Sequence, residues 1–184
     1  VLSTRSDGSP PPGTFTWVSA GQDYFCGVRT DGSISCWGKN EHDQGTPAPD
    51  PLVSLSAGAQ HRCGVRADGS IGCVGDDHYG ETATPAGTFT MVSTGDWYTC
   101  GVRSDATVAC WGEIEYGNPT PPTGAFLSVS AGPAHACGVK SDGAVACWGD
   151  NSHGQATPPP GAFIAVSAGG SIAGSDACTC GIKT

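Results

Sequence analysis

One seven-residue phrase returns every 37 positions, and this period limits the folds open to the chain more than anything else in it. Phe15–Gly21, Leu52–Gly58, Phe89–Gly95, Phe126–Gly132 and Phe163–Gly169 share one register without slippage. After each of the first four comes Cys-Gly-Val-(Arg/Lys), a short turn, and then Cys-(Trp/Val)-Gly. A period of this length marks stacked structural units, none of which can bury its apolar face alone. Five such units would need 185 residues, and the chain has 184.

Within residues 15–51 the phrase reads as a strand closing on Gly21. Phe25–Arg29 reads as a second strand and Ser33–Trp37 as a third, joined across Thr30-Asp31-Gly32. A three-residue hairpin loop ends in a left-handed residue, which glycine supplies without steric cost. That loop places residues equidistant from Asp31 opposite each other, so Cys26 faces Cys36. Facing residues on antiparallel strands lie about 4.5–5.5 Å apart at Cα, within disulfide reach. The same geometry applies to Cys63/Cys73, Cys100/Cys110 and Cys137/Cys147. The Cys-x-x-Cys clustering of a zinc site is absent. Four hairpin disulfides are therefore expected, each contributing roughly 2–3 kcal/mol and pointing to an oxidising compartment. In the third unit Ala106 stands where the others have glycine, which predicts a strained or reshaped turn.

Three short strands cannot bury two faces, so the units must stack as a propeller or a β-solenoid. Tight Asp-Gly hairpins inside each repeat favour antiparallel blades. The recurring Trp37, Trp111 and Trp148, with Val74 once, then read as packing between blades. The Pro-rich links, such as Thr157–Gly161, read as crossovers, because proline cannot donate to a ladder. The 29 glycines and 14 prolines recur with the period and fit many tight turns.

These residues resemble the regulator-of-chromosome-condensation repeat family, and most closely the branch of the second-type β-lactamase inhibitor protein. The resemblance is carried by Ser130–Lys140 (Ser-Ala-Gly-Pro-Ala-His-Ala-Cys-Gly-Val-Lys) and Val145–Pro158 (Val-Ala-Cys-Trp-Gly-Asp-Asn-Ser-His-Gly-Gln-Ala-Thr-Pro). It extends over residues 15 to about 182 and implies an all-β propeller. That branch usually closes with seven blades and lacks a hairpin disulfide, whereas this chain holds material for five and adds the staple. The family spans exchange factors, inhibitors and receptor ectodomains, so the likeness implies a fold more than a function.

A single domain of residues 1–184 is expected, with units 15–51, 52–88, 89–125 and 126–162 and a fifth, 163–184, completed by 1–14. Ser9–Thr14 matches the link Thr157–Ala162, so closure of the last blade by both termini is expected, since pairing removes exposed edges. Val1–Arg5 as its third strand, or Thr4–Ser9 as a hairpin turn, remain alternatives. Six extra residues between Gly169 and Thr179 add Cys178, and Cys180 lacks its expected hairpin partner. A Cys178–Cys180 bridge would be strained, which leaves chain-to-chain linkage or a cleaved longer array.

Eight basic against seventeen acidic residues give a net charge of −9, the wrong field for nucleic acid or anionic membrane. No apolar run reaches the roughly 20 residues of a membrane span. No leader opens at Val1, so the chain reads as mature or trimmed.

No nucleophile–base set, phosphate loop or metal cluster stands out, so no cofactor is expected and an enzyme is the least favoured reading. His61 and His135 alternate with Tyr24 and Tyr98 at one repeat position, as interblade hydrogen bonds or as a ligand ring. The loops after the first strand vary: Gln22-Asp23, Ala59-Gln60, Asp96-Trp97, Pro133-Ala134 and the insertion at Ser171–Ala177. In a propeller these gather on one face around the axis, where partners dock. The candidate binding residues are therefore Asp23, Tyr24, Gln60, His61, Asp96, Trp97, Tyr98 and His135. His42, Tyr79, Tyr116 and His153 mark a second candidate face. The expected function is a secreted, non-enzymatic module recognising an extracellular protein or glycan. Alternatives are an inhibitor of a secreted or periplasmic enzyme, weakened by the thin supply of loop aromatics, and a structural subunit self-associating through the terminal blade or an unpaired cysteine. Multivalent lectin activity would need repeated aromatic platforms, and Asp96-Trp97 is the one good local example.

Overall fold

Each hairpin is nucleated by the same turn chemistry. Asp31 Oδ1 accepts from the Ser33 amide at 2.9 Å, and Asp68, Asp105 and Asp142 repeat the contact with Ser70, Thr107 and Ala144. The residue between takes a positive φ of 80° at Gly32, 83° at Gly69 and 83° at Gly143. Ala106 adopts the same conformation at φ 68° and keeps the turn's hydrogen bond to Arg103 O at 2.9 Å. Of the two outcomes open to that turn, strain is the one observed, because the flanking strands over-determine the loop.

The computed structural model describes residues 9–46, 51–113, 120–170 and 177–184. Every regular element among them is a strand. The first unit holds β1 (Phe15–Ala20), β2 (Tyr24–Arg29) and β3 (Ile34–Gly38), and the second β4 (Leu52–Ala57), β5 (His61–Arg66) and β6 (Ile71–Gly75). The third holds β7 (Phe89–Thr94), β8 (Tyr98–Arg103) and β9 (Val108–Gly112), and the fourth β10 (Phe126–Ala131), β11 (His135–Lys140) and β12 (Val145–Gly149). The fifth holds β13 (Phe163–Gly169) and β14 (Cys178–Lys183). Four units form antiparallel three-stranded meanders, and β13–β14 form a two-stranded sheet among the described residues. A third strand from Val1–Arg5, or a turn at Thr4–Ser9, falls largely on residues 1–8 and so outside the described residues. Pro12 and Thr14 lie along the first hairpin as link residues, accepting from Arg29 Nη1 and the Thr30 amide.

The register brings each cysteine pair face to face. All four disulfides form, with Cα atoms 4.0–4.1 Å apart, slightly inside the spacing expected from ideal pairing. A bulge one residue into each first strand shifts the register at the same place in all five units. The bulged residues Val53, Leu127 and Ile164 consequently point to solvent.

The core lies between sheets, not within them. The second-strand side of one unit, such as Tyr24, Cys26 and Val28, packs against Leu52, Leu55 and Ala57 of the next. Each conserved-register Trp lies against the leading Phe of its own unit, with centroids 6.0 Å apart for both Phe89–Trp111 and Phe126–Trp148. Trp111 also donates to Glu81 O of the preceding unit at 2.9 Å. At the inner ends of the first strands the backbones touch. A methyl group on Gly21 would run into Gly58 O, one on Gly58 into Gly95 O, and one on Gly95 into Gly132 O. Among the described residues the outer faces of the first and last units are exposed. Val18 is 56% exposed where Leu55 is 2%, and Ile182 is 60% exposed where Val139 is 1%.

Candidate functional site

Strands alternate direction within a unit, so the first and third end at the same edge. The loop after the first strand and the turn after the third therefore lie together on one face. Backbone hydrogen bonds join them: Lys39 N to Asp23 O, Asp76 N to Gln60 O, Glu113 N to Trp97 O, and Asp150 N to Ala134 O, at 2.8–3.0 Å. The two candidate faces drawn from the sequence are thus one surface. His42, Tyr79 and His153 belong to it, whereas Tyr116 and, of the insertion at Ser171–Ala177, residues 171–176 lie outside the described residues.

At the centre of this surface the glycine-tipped strand ends of all five units surround a shallow depression of about 190 Å³. Its lining is almost entirely small residues, together with Gln22, Thr94 and Asp96. Burial raises the Asp96 carboxyl above its ordinary range.

Four of the eight candidate residues sit beneath the surface. Tyr24 and Tyr98 are buried and donate from their hydroxyls to His61 O and His135 O, each at 2.7 Å. His61 and His135 are fully buried, their Nε2 atoms 2.8 Å from Thr99 Oγ1 and Thr179 Oγ1. Each of these side chains ties one unit to the next. Burial pushes both phenols well above their usual range and holds the His61 imidazole down at about 4. Neutral His61 is the form this site holds.

The other four reach the surface. Asp23 is exposed, with φ 62°, and lies 3.9 Å from Lys39, which in turn lies 3.5 Å from Glu41. Gln60, Asp96 and Trp97 are partly exposed. Trp97 meets Tyr79 of the preceding unit at 6.4 Å between centroids, and Tyr79 in turn meets His78 at 4.7 Å. Trp97, Tyr79 and His78 thus form an aromatic cluster at the seam between the second and third units, with Asp96 beside it in the chain. The cluster joins residues 18 positions apart, so only the stacking of units reveals it.

One buried side chain went unnoticed in the sequence. Arg62 is fully buried and donates to Gln44 O at 2.9 Å and to Thr46 O, which fastens the first unit's turn to the second unit. Burial lowers its guanidinium to about 10. Its signal was the substitution itself, an arginine where the other units have Phe25, Thr99, Ala136 and Thr179. No group of three or more metal-binding side chains occurs among the described residues.

A profile of the regulator-of-chromosome-condensation (RCC1) repeat matches residues 18–44 and 126–155. The fold also superposes on solved propellers along nearly all of its length. The CRINKLY WD40 ectodomain of the Arabidopsis thaliana receptor kinase ACR4 aligns with TM-score 0.76 and 28% identity, covering 100% of this chain and 68% of that one. The chain thus carries matches to the RCC1 repeat over two stretches and has the fold of these propellers. The whole ectodomain of the Physcomitrella patens receptor kinase CR4 gives TM-score 0.75 and 25% identity, over 89% of this chain and 48% of that one. Prp20p of Saccharomyces cerevisiae, described with its binding to Gsp1p and histones, gives 0.77 at 14% identity, over 100% and 62%, and this likeness shows the fold alone. The chain thus spans from about half to about two thirds of these proteins. No curated protein sequence matches it. Four disulfides and the ectodomain likenesses fit an extracellular binding module.

Proposed function

We propose that this RCC1-type propeller is a secreted, non-enzymatic recognition module whose five units act as one domain. It binds an extracellular protein or glycan through the face that carries the strand-end loops. The Trp97–Tyr79–His78 cluster is the observation that carries this reading. Aromatic side chains offer large contact area at low entropic cost, and they anchor both protein interfaces and sugar faces. The cluster sits on loops that differ between units, while the scaffold beneath repeats. The acidic surface and the neighbouring Asp96 favour a partner that brings cationic or hydroxyl groups. The same anchors would serve an inhibitor, and the ectodomain likenesses favour the recognition role over that one.

Pull-down from the native extracellular medium, paired with a glycan array, tests the reading. Trp97→Ala and Tyr79→Ala are expected to weaken capture of the partner about tenfold or more each, with unfolding midpoints little changed. Capture by both variants at the level of the unmodified protein would refute this choice of face.

A further inference from the structure

The turn that carries Tyr79 differs from its counterparts beneath the surface. In the fourth unit His153 N donates to Gln155 Oε1 at 2.9 Å, and Gln155 Nε2 donates to Asp150 Oδ2 at 2.7 Å. In the second unit Tyr79 N donates to Glu81 Oε2 at 2.8 Å. Tyr79, Glu81 and Asp76 stand two periods before His153, Gln155 and Asp150. With one arm of Glu81 held by the same amide, the other arm, Oε1, takes the place of Gln155 Nε2. That place faces Asp76, so an oxygen stands where the fourth unit has a donor. Oε1 is buried without a hydrogen-bond partner among the described residues, and the side chain is 1% exposed.

The first unit avoids the conflict with Lys39 and Gln44 at the two positions. Asp77 adds a third carboxylate to the second unit, where the first and fourth have Asn40 and Asn151. Burial, and then the charges of Asp76 and Asp77, raise the Glu81 carboxyl above its ordinary range, against the pull of the Glu81 and Tyr79 amides. From β5, His61 senses the same two charges and is neutral. From β9, Trp111 brings an uncharged indole N–H, which donates to Glu81 O at 2.9 Å. Asp96, on the loop after β7, acts on Tyr98. No lysine or arginine among the described residues forms an ion pair with Asp76, Asp77 or Glu81. Two carboxyl groups set face to face without a counter-ion hold one proton between them.

We propose that Glu81 and Asp76 share a proton, and that this proton sets the order of the Tyr79–Trp97 face. With the proton in place, Glu81 Oε1 donates to Asp76 as Gln155 Nε2 donates to Asp150. The turn then holds Tyr79 against Trp97 and His78. When the proton leaves to water, a buried carboxylate faces Asp76 and Asp77, and the turn moves to relieve the repulsion. Tyr79 moves with it, because its amide is bonded to Glu81. The folded carboxyl lies above its unfolded value, so the ordered face is complete below the ordinary carboxylate range and is lost as pH rises through the folded value. The consequence for binding rests on this face being the one that meets the partner: capture is then stronger in a mildly acidic medium than in a neutral one.

Carboxyl NMR of the full chain, carbon-13 labelled, between about pH 4.5 and pH 8 reads the proton without any partner. Glu81 is expected to titrate above the ordinary carboxylate value, with Asp76 following in the same step. The Tyr79 ring and Trp97 indole signals should shift with it. Glu81→Gln restores the amide of the fourth unit and should hold those ring signals at their acid positions up to pH 8. Asp76→Asn offers Glu81 a donor instead and should bring its carboxyl back toward the ordinary range. Pull-down from the native medium at pH 5 should capture about tenfold more partner than at pH 7.5, and Glu81→Gln should capture equally at both. A Glu81 carboxyl that titrates at the ordinary value, or ring signals that follow pH alike in Glu81→Gln, would overturn the proposal. Capture by the unmodified chain that ignores pH would overturn the link to binding. Full capture by Trp97→Ala would instead overturn the choice of face, a result that the NMR titration keeps separate from the shared proton.

Discussion

Protonation of His61 should be a measurable route of acid destabilisation. The imidazole is fully buried, Nε2 is taken by Thr99, and Nδ1 has no hydrogen-bond partner among the described residues. A proton there would put a charge into a buried seam, and the attraction of Asp76 and Asp77 offsets that cost only in part. The pKa drops from 6.5 to about 4 as a result. The folded value lies below the unfolded one, so the neutral site's contribution is complete above pH 6.5 and is lost as the pH falls toward 4. With those two values, moving from pH 7 to pH 5 removes roughly 2 kcal/mol. A chain of this size has a urea slope of about 2 kcal/mol per molar, so the midpoint should fall by about 1 M from this group. The comparison is with His61→Tyr, which installs the side chain found at Tyr24 and Tyr98 and titrates nowhere in this range. Carboxyls raised by burial, such as Asp96 and Glu81, act in the opposite sense, but they do so equally in both proteins and cancel. Urea unfolding under non-reducing conditions at both pH values provides the readout. An unchanged acid loss in His61→Tyr would refute the reasoning.

Other outcomes follow from single positions. Ala106→Gly should raise stability by about 1 kcal/mol, because a left-handed alanine becomes a residue that adopts that conformation freely; a lower melting temperature would contradict the strain. Glu81 stands where other units place Gln44 and Gln155, fully buried with Oε1 unpartnered, and burial raises its carboxyl above the ordinary range. Its folded pKa exceeds the unfolded one, so stability is complete below the ordinary carboxylate value and falls as pH rises through the folded one. Glu81→Gln should accordingly stabilise more at pH 7 than at pH 4 in thermal melts. Gly58→Ala should cost about 1–3 kcal/mol, since its methyl meets the Gly95 backbone and has no rotamer to escape into; unfolding that matches the unmodified chain would deny the contact.

The sequence carried local geometry well. The Asp-Gly turn placed Cys26 opposite Cys36, and the period carried that result to the other hairpins. It also restricted the Ala106 turn to two outcomes. What it did not carry depends on how one unit lies on the next. The contact of Trp97 with Tyr79 arises from stacking, and no spacing within a unit encodes it. The union of the two loop surfaces follows from strand direction alone and was within reach of the sequence. Nothing in the second unit alone marks Arg62 as buried, because its burial depends on carbonyls at Gln44 and Thr46 in the preceding unit. Cys178 counted as part of an insertion, yet its pairing with Gly169 puts it in the strand, at the register of His135. Only the hydrogen-bond ladder separates those two assignments.

The backbone contacts among Gly21, Gly58, Gly95 and Gly132 have a geometric consequence. Where side chains set the distance between neighbouring sheets, each substitution at the inner rim would alter the curvature of the array. Here peptide groups set it, and they are the same for every residue type. The radius of curvature is thereby uncoupled from the loop residues that begin one position later. Selection can rewrite Gln22, Ala59, Asp96 or Pro133 without bending the frame that presents them.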